Sequence, residues 1–312
     1  MSTLTVVNST KSVTTSVLTE EIYKRWVCYI DAAPKTVETY TKAIRQFFKY
    51  LSDHGILNPE RQDIVAYRAY LKEGHKPTTV QNYIAAVKLF FQWTNREGIY
   101  QNVAERVKGV KLDNGHKKDY LTSKQAARFL ATVDQSTMQG LRDYAILTLM
   151  VTTGLRTVSI TRANIEDIRT IGNDTALFYQ GKGHEEKATL VKLVEPVENA
   201  IRNYLRERGE KDNTAPLFCS MANKNFGERM TTRSISRIVK KQLIAAGLVS
   251  DKLTAHSLRH TAATLALLNN AKPEEVQQML DHQNLNTTLI YSHALDRMKN
   301  NSEQKVARAI FG

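Results

Sequence analysis

Between residues 18 and 98 one pattern recurs: an apolar stripe at every third or fourth position, opened by proline and closed by glycine. Val37, Tyr40, Ile44, Phe47, Phe48 and Leu51 lie between Pro34 and Gly55; Ile64, Tyr67 and Leu71 lie between Pro59 and Gly74. Val80, Tyr83, Ile84, Val87, Phe90, Phe91 and Trp93 lie between Pro77 and Gly98. Proline is tolerated in the first turn of a helix and not in its interior, whereas glycine stops a helix by taking the left-handed conformation. With Leu18 to Ile30, whose Ile22, Trp26 and Ile30 share a stripe, the pattern predicts four amphipathic helices on short connections, a compact bundle. At this spacing the aromatic residues belong to the core rather than to a base-stacking platform.

The 312 residues suffice for two domains, each with its own core. After Gly98 the apolar period is lost: residues 101–120 carry Lys108, Lys111, Lys117 and Lys118 around Gly109 and Gly115, the signature of a linker. A second helical region starts at Leu121-Thr122. Asp143 to Thr152 is a buried helix that delivers Arg156 just beyond Gly154. After a short apolar segment, Thr175 to Gln180 and Ala188 to Leu193 are rich in strand formers and flank a Gly-Lys-Gly turn, giving a hairpin with Lys182 near its tip. Glu195 to Arg208 is a further helix, and Thr231 to Ala246 a basic one bearing Arg233, Arg237, Lys240 and Lys241. The fold class expected is mostly α, a four-helix domain followed by a helical domain with a small antiparallel hairpin. No internal repeat is visible.

The formal net charge is +13, of which +6 falls in residues 1–120 and +7 in 121–312. With both parts basic, the simplest partner is a polyanion gripped from two sides, and double-stranded DNA is the first choice. Two helix starts, Lys35-Thr36 with Thr39 and Lys76 with Thr78 and Thr79, place hydroxyls, basic groups and N–H groups where phosphates can sit; ordinary capping by threonine is the competing account. The basic helix face at 233–241 either lies beside a groove or is simply solvated. No run of some 18 apolar residues exists, so no membrane span is expected. The start of the chain lacks the basic and apolar regions of a secretion signal, and a cytoplasmic, nucleoid-associated protein is expected. Cys28 and Cys219 are too few for a disulfide framework or a zinc site and are read as reduced, buried thiols.

Residues 256 to 291 hold the chemistry. His256 and Arg259, three apart on a helix, reach one anion together. Leu258, Ala262, Leu265 and Leu268 supply the apolar stripe, Asn269-Asn270 and Pro273 separate this helix from the next, and His282 follows Met279-Leu280-Asp281. Tyr291 lies on a short helix begun near Asn286-Thr287. His-x-x-Arg, then Leu-x-His, then Tyr, preceded by Thr153-Gly154-Leu155-Arg156 and by Gly181-Lys182-Gly183, resembles the signature of the tyrosine recombinase (phage integrase) family. The resemblance extends from about residue 20 to the end.

That resemblance implies a SAM-like core-binding domain over residues 19–100, a linker over 101–120, a catalytic domain over 121–295, and a tail over 296–312 that docks into a neighbouring subunit, with 1–18 a loose start. Nothing resembling an arm-site binding module precedes residue 18, so a simple recombinase of Xer-like size is expected. It implies that Tyr291 attacks a phosphodiester, forming a 3′-phosphotyrosine and freeing a 5′ hydroxyl. Arg156 and Arg259 then clamp the phosphate, His256 and His282 bond it or relay the phenolic proton, and Lys182 protonates the leaving oxygen. No cofactor, ATP or metal is expected, and the chain has neither a Walker-type loop nor a carboxylate cluster for two-metal chemistry. The expected assembly is a homotetramer on DNA, or a heterotetramer with a related recombinase, with accessory proteins an option. His260 is given a structural or supporting role. Two positions depart from the family: Ser159 stands where Glu is common, and Asp281 where Gly is. The first leaves the orientation of Arg156 open, and the second adds negative charge near the phosphate site unless it points away. A type IB topoisomerase-like relaxation activity and a silent DNA-binding protein of this fold are the alternatives. The target site and biological setting are not legible.

Overall fold

The computed structural model describes residues 18–111, 119–181, 186–289, 291 and 302–312. Two compact units divide near residue 114, each described by itself.

The first unit is built from α1 (Glu20–Tyr29), α2 (Pro34–Asp53), α3 (Arg61–Gly74) and α4 (Pro77–Arg96). Prolines open α2 and α4, and Gly55 and Gly98 take positive φ just past the ends of α2 and α4. The stripes meet in one core, where Phe47, Phe90, Phe91, Tyr67 and Trp26 are all fully buried. Their rings contact edge to face or tilted at 5.0–5.9 Å, as in Phe47–Tyr67, Trp26–Phe90 and Phe47–Phe91. Such aromatic pairs add about 0.5–1.5 kcal/mol each beyond burial. The charged stretch after α4 is not a loose linker over its first part. Ala104 and Val107 are buried in the same core, Arg68 donates to the Lys108 carbonyl at 2.5 Å, and the Gln81 side chain accepts from the Val110 N–H at 2.9 Å. Cys28, expected to be buried, is exposed: it falls on the outer face of α1, opposite the Tyr23 and Trp26 stripe.

The second unit comprises α5 (Ser123–Ala131), α6 (Met138–Thr153), α7 (Thr157–Arg162), β1 (Ile168–Ile171), β2 (Asp174–Tyr179), β3 (Thr189–Lys192), α8 (Glu195–Arg208), α9 (Thr232–Ala245), α10 (Ala255–Leu268), α11 (Pro273–Leu280) and α12 (Ser302–Phe311). Residues 286–289 and 291 are helical as well. The central helix α6 is buried almost all round and packs on α8 and α10. The three strands form an antiparallel sheet in the order β1-β2-β3, with Leu177 opposite both Ile168 and Val191. The expected hairpin therefore has a third strand, in what was read as an apolar connection. A buried carboxylate ties this sheet down: Asp167, just before β1, accepts from the Asn164 N–H at 2.7 Å and from Lys187 at 2.5 Å. The apolar stripe of α10 also differs from expectation. Leu258, Ala262, Ala263 and Leu267 are buried, whereas Leu268 is exposed: the covered face of the last turn is the one bearing Leu267, which packs with Val276, Leu280 and Tyr291.

Candidate active site

The site grows from the end of α6. Gly154 takes φ +67, a conformation that L side chains adopt at a cost of about 1–2 kcal/mol, and a Cβ there would meet Leu280 Cδ2 at 2.4 Å and Ala262 Cβ at 3.3 Å. Only glycine lets α6 stop against both α10 and α11 at this distance. The chain then passes through buried Leu155, and Arg156 becomes the residue that starts α7.

Arg259 arrives from α10 and is nearly fully buried. Its Nη1 donates to the Gly154 carbonyl at 2.9 Å and its Nη2 to the Leu280 carbonyl. Both acceptors are helix-end carbonyls that lack a partner within their own helices. Burial, with the neighbouring Arg156 charge, pulls the Arg259 guanidinium down to about 10, which leaves it charged at neutral pH. Arg156, Arg259 and His256 line one cleft of about 730 Å³, which extends past Thr157 and Thr254 to Ser236 and Lys240 of α9. His256 itself, on the first turn of α10, is exposed.

His282 follows α11 directly. Its Nδ1 shares a hydrogen bond with Thr288 Oγ1 at 2.9 Å, and its carbonyl accepts from Gln277 at 2.9 Å. Burial, then the charges of Arg259, Arg156 and His256, hold its imidazole down to about 4, so the ring is neutral near pH 7. Tyr291 is buried against Ala263, Leu267, Val276 and Leu280. Burial raises its phenol above the ordinary value, while Arg259 and Arg156 act in the opposite direction. Its ring lies 5.2 Å from that of His260, which in turn lies 4.7 Å from that of His256.

Arg156, His256, Arg259, His282 and Tyr291, drawn from positions up to 135 apart in the sequence, thus share one electrostatic neighbourhood. Lys182, Lys117 and Lys118 lie outside the described residues. Arg233, Arg237 and Lys241 are exposed on one side of α9, and Lys240 donates to the Ser250 carbonyl at 3.0 Å. The N-terminal ends of α2 and α4 carry no side-chain cap, so capping by threonine does not account for Thr36, Thr39, Thr78 or Thr79. Thr39 donates instead to the Lys35 carbonyl at 2.8 Å, and Lys35 pairs with Glu38 at 2.7 Å, while Lys76 and Thr78 are exposed.

Three features were not anticipated. Tyr179, at the end of β2, is buried beside the arginine pair, and burial together with Asp281 pushes its phenol up to about 12. Thr288 is fully buried against His282; its place six residues on, within the Thr-Thr-Leu-Ile-Tyr run, is the signal that was available. Ser159 donates to the Gln180 carbonyl at 3.1 Å, which fixes the exit of β2, while the carboxylate near Arg156 comes from Asp281, at 3.8 Å. Among the described residues, no cluster of metal-ligating side chains is present and no helix is long and apolar enough to cross a membrane.

Residues 119–298 match the phage integrase family and residues 29–98 its N-terminal SAM-like domain. The chain is 35% identical over 202 residues to the tyrosine recombinase XerC of Caldanaerobacter subterraneus, covering 64% of this chain and 53%, about half, of that relative's length. It is 28% identical over 271 residues to the XerC of Thermodesulfovibrio yellowstonii, covering 83% and 85% of the two chains. Its fold is similar to the crystal structure of XerH site-specific recombinase bound to a palindromic difH substrate, with a TM-score of 0.71 at 23% identity over 93% of this chain and 82% of that one.

Proposed function

The chain belongs to the phage integrase family of tyrosine recombinases, and on that premise we propose that it is a site-specific DNA recombinase that breaks and rejoins strands through a covalent 3′-phosphotyrosine. The observation that carries the reading is that Arg156, Arg259 and His256 line one cleft while His282 and Tyr291 lie within the electrostatic reach of the same two arginines. A phosphodiester in that cleft presents two non-bridging oxygens, and two guanidinium forks supply planar, permanently charged donors for them. The Tyr291 oxygen attacks phosphorus, and the bond from phosphorus to the 5′ oxygen breaks. The phenolic proton leaves to a neutral imidazole; His282, uncharged near pH 7, is free of a proton to accept it, and the arginine charges favour the phenolate that forms. In the same step Lys182 gives a proton to the departing 5′ oxygen. The freed hydroxyl of one strand then attacks the phosphotyrosine of another, conserving bond energy, so no nucleotide is consumed.

The DNA is held by the basic faces already described: the ends of α2 and α4 with Lys35, Thr36, Thr39, Lys76, Thr78 and Thr79, the segment with Lys117 and Lys118, and α9 with Arg233, Arg237, Lys240 and Lys241. Exchange between two duplexes needs two pairs of nucleophiles, hence a tetramer. In α12 every described residue is exposed, with Val306, Ile310 and Phe311 forming an apolar face suited to docking on a neighbouring protomer. The four-helix domain of residues 19–100 and the catalytic domain of 121–295 each contribute to this grip on DNA.

The test is incubation with a pool of randomised duplexes, each carrying one nick, in the presence of a chelator. A detergent-stable protein–DNA adduct whose recovered DNA converges on one sequence, and exchange between two plasmids carrying it, are expected. Adducts of no preferred sequence, with relaxation of any supercoiled plasmid, would indicate a topoisomerase-like enzyme instead.

A further inference from the structure

Asp281 breaks three local rules at once. It has φ 52 and ψ 53, a left-handed conformation unusual for a residue with a side chain. It is an acid at the C-terminal end of α11, where the helix dipole disfavours negative charge. Its carboxylate also lies beside one of the arginines that line the cleft that is to hold a phosphate, with Oδ2 3.8 Å from Arg156 Nη1 and both side chains largely buried. Residues that violate local preference in concert are held by something else in the fold.

The two arginines differ in how they are held. Arg259 is braced from behind by the Gly154 and Leu280 carbonyls. Arg156 has no such carbonyl brace among the described residues; its acidic partner there is Asp281. The left-handed turn that ends α11 therefore serves both guanidiniums: it presents the carbonyl of Leu280 to Arg259 and the carboxylate of Asp281 to Arg156, and it then places His282. At 3.8 Å the carboxylate sets direction by charge without occupying a hydrogen-bonding fork, which leaves the Arg156 donors available to a phosphate.

We infer that Asp281 is a positioning residue, the acidic brace that holds the Arg156 guanidinium aimed into the cleft. The inference rests on the recombinase reading and concerns which residues make its arginine pair work. Asp281→Asn keeps the shape and the tolerance of the left-handed turn but removes the charge, and Asp281→Gly also relaxes the backbone. In both, the rate of adduct formation at saturating nicked DNA should fall on the order of ten- to a hundredfold. Affinity for uncleaved duplex, measured with Tyr291→Phe in the background, should hold or rise, since a negative charge has left the phosphate site. The melting temperature of Asp281→Gly should hold or rise as well. Unchanged or faster cleavage in both variants, or affinity and melting temperature falling together with rate, would overturn the assignment. If the unaltered protein forms no adduct at all, the enzymatic reading falls and takes this inference with it, an outcome separable because it appears without any substitution at 281.

Discussion

At the scale of single residues, position 154 shows how a motif follows from packing. Gly154→Ala places a methyl against Leu280 in a left-handed turn, at a cost of about 2 kcal/mol or more. It also displaces a carbonyl that holds Arg259, so a lowered melting temperature and loss of cleavage with retained DNA binding are expected together. His282 carries a pH signature. Its imidazole titrates near 4 when folded against 6.5 for the ordinary group, with burial as the leading cause. Between those values the unfolded chain binds more protons, so this contribution to stability is full above about 6.5 and declines as pH falls toward 4. Denaturant titrations across that window should show a shallower decline in His282→Gln than in the unaltered protein; parallel curves would contradict the assignment. Arg156, His256, Arg259, His282 and Tyr291 were each legible from residue type and order. Tyr179 was not, because it comes from a strand end far away in sequence and leaves no spacing to read; Thr288 left only its place six residues after His282, and Asp281 was noted as a charge near the site without its pairing to Arg156.

At the scale of elements, legibility followed punctuation. α2 and α4 begin at the prolines that announced them, and α8 spans Glu195–Arg208 as its pattern predicts. β1 was missed because its four residues alternate nothing: Arg169, Thr170 and Ile171 are all exposed, and the strand is defined by pairing with β2 rather than by burial. The same sheet yields a prediction. Asp167→Ala removes the partner of Lys187 and of the Asn164 N–H, leaving polar groups unpaired at a cost of about 2 kcal/mol. The melting temperature of the variant should drop by roughly 4–8 °C, read by thermal denaturation, whereas an unchanged transition would mean that the hairpin does not depend on this anchor. The stretch after α4 taught the converse: charge and glycine suggested a linker, yet Ala104 and Val107 were enough to seat residues 101–111 in the first core.

At the scale of the whole molecule there are two units with separate cores, residues 1–120 and 121–312 carry +6 and +7 of formal charge, and Arg156, His256, Arg259, His282 and Tyr291 all belong to the second unit. The proposed reaction requires that the Tyr291 oxygen become bonded to DNA. The most direct measurement is mass spectrometry of peptides from the detergent-stable adduct, after nuclease trimming, with Tyr291→Phe and the Arg156→Ala variant run beside it. The expected result is a nucleotide mass on the peptide containing Tyr291, no adduct from Tyr291→Phe despite unchanged DNA binding, and a yield lowered on the order of a hundredfold in Arg156→Ala. An adduct on another residue, or one that persists in Tyr291→Phe, would contradict it.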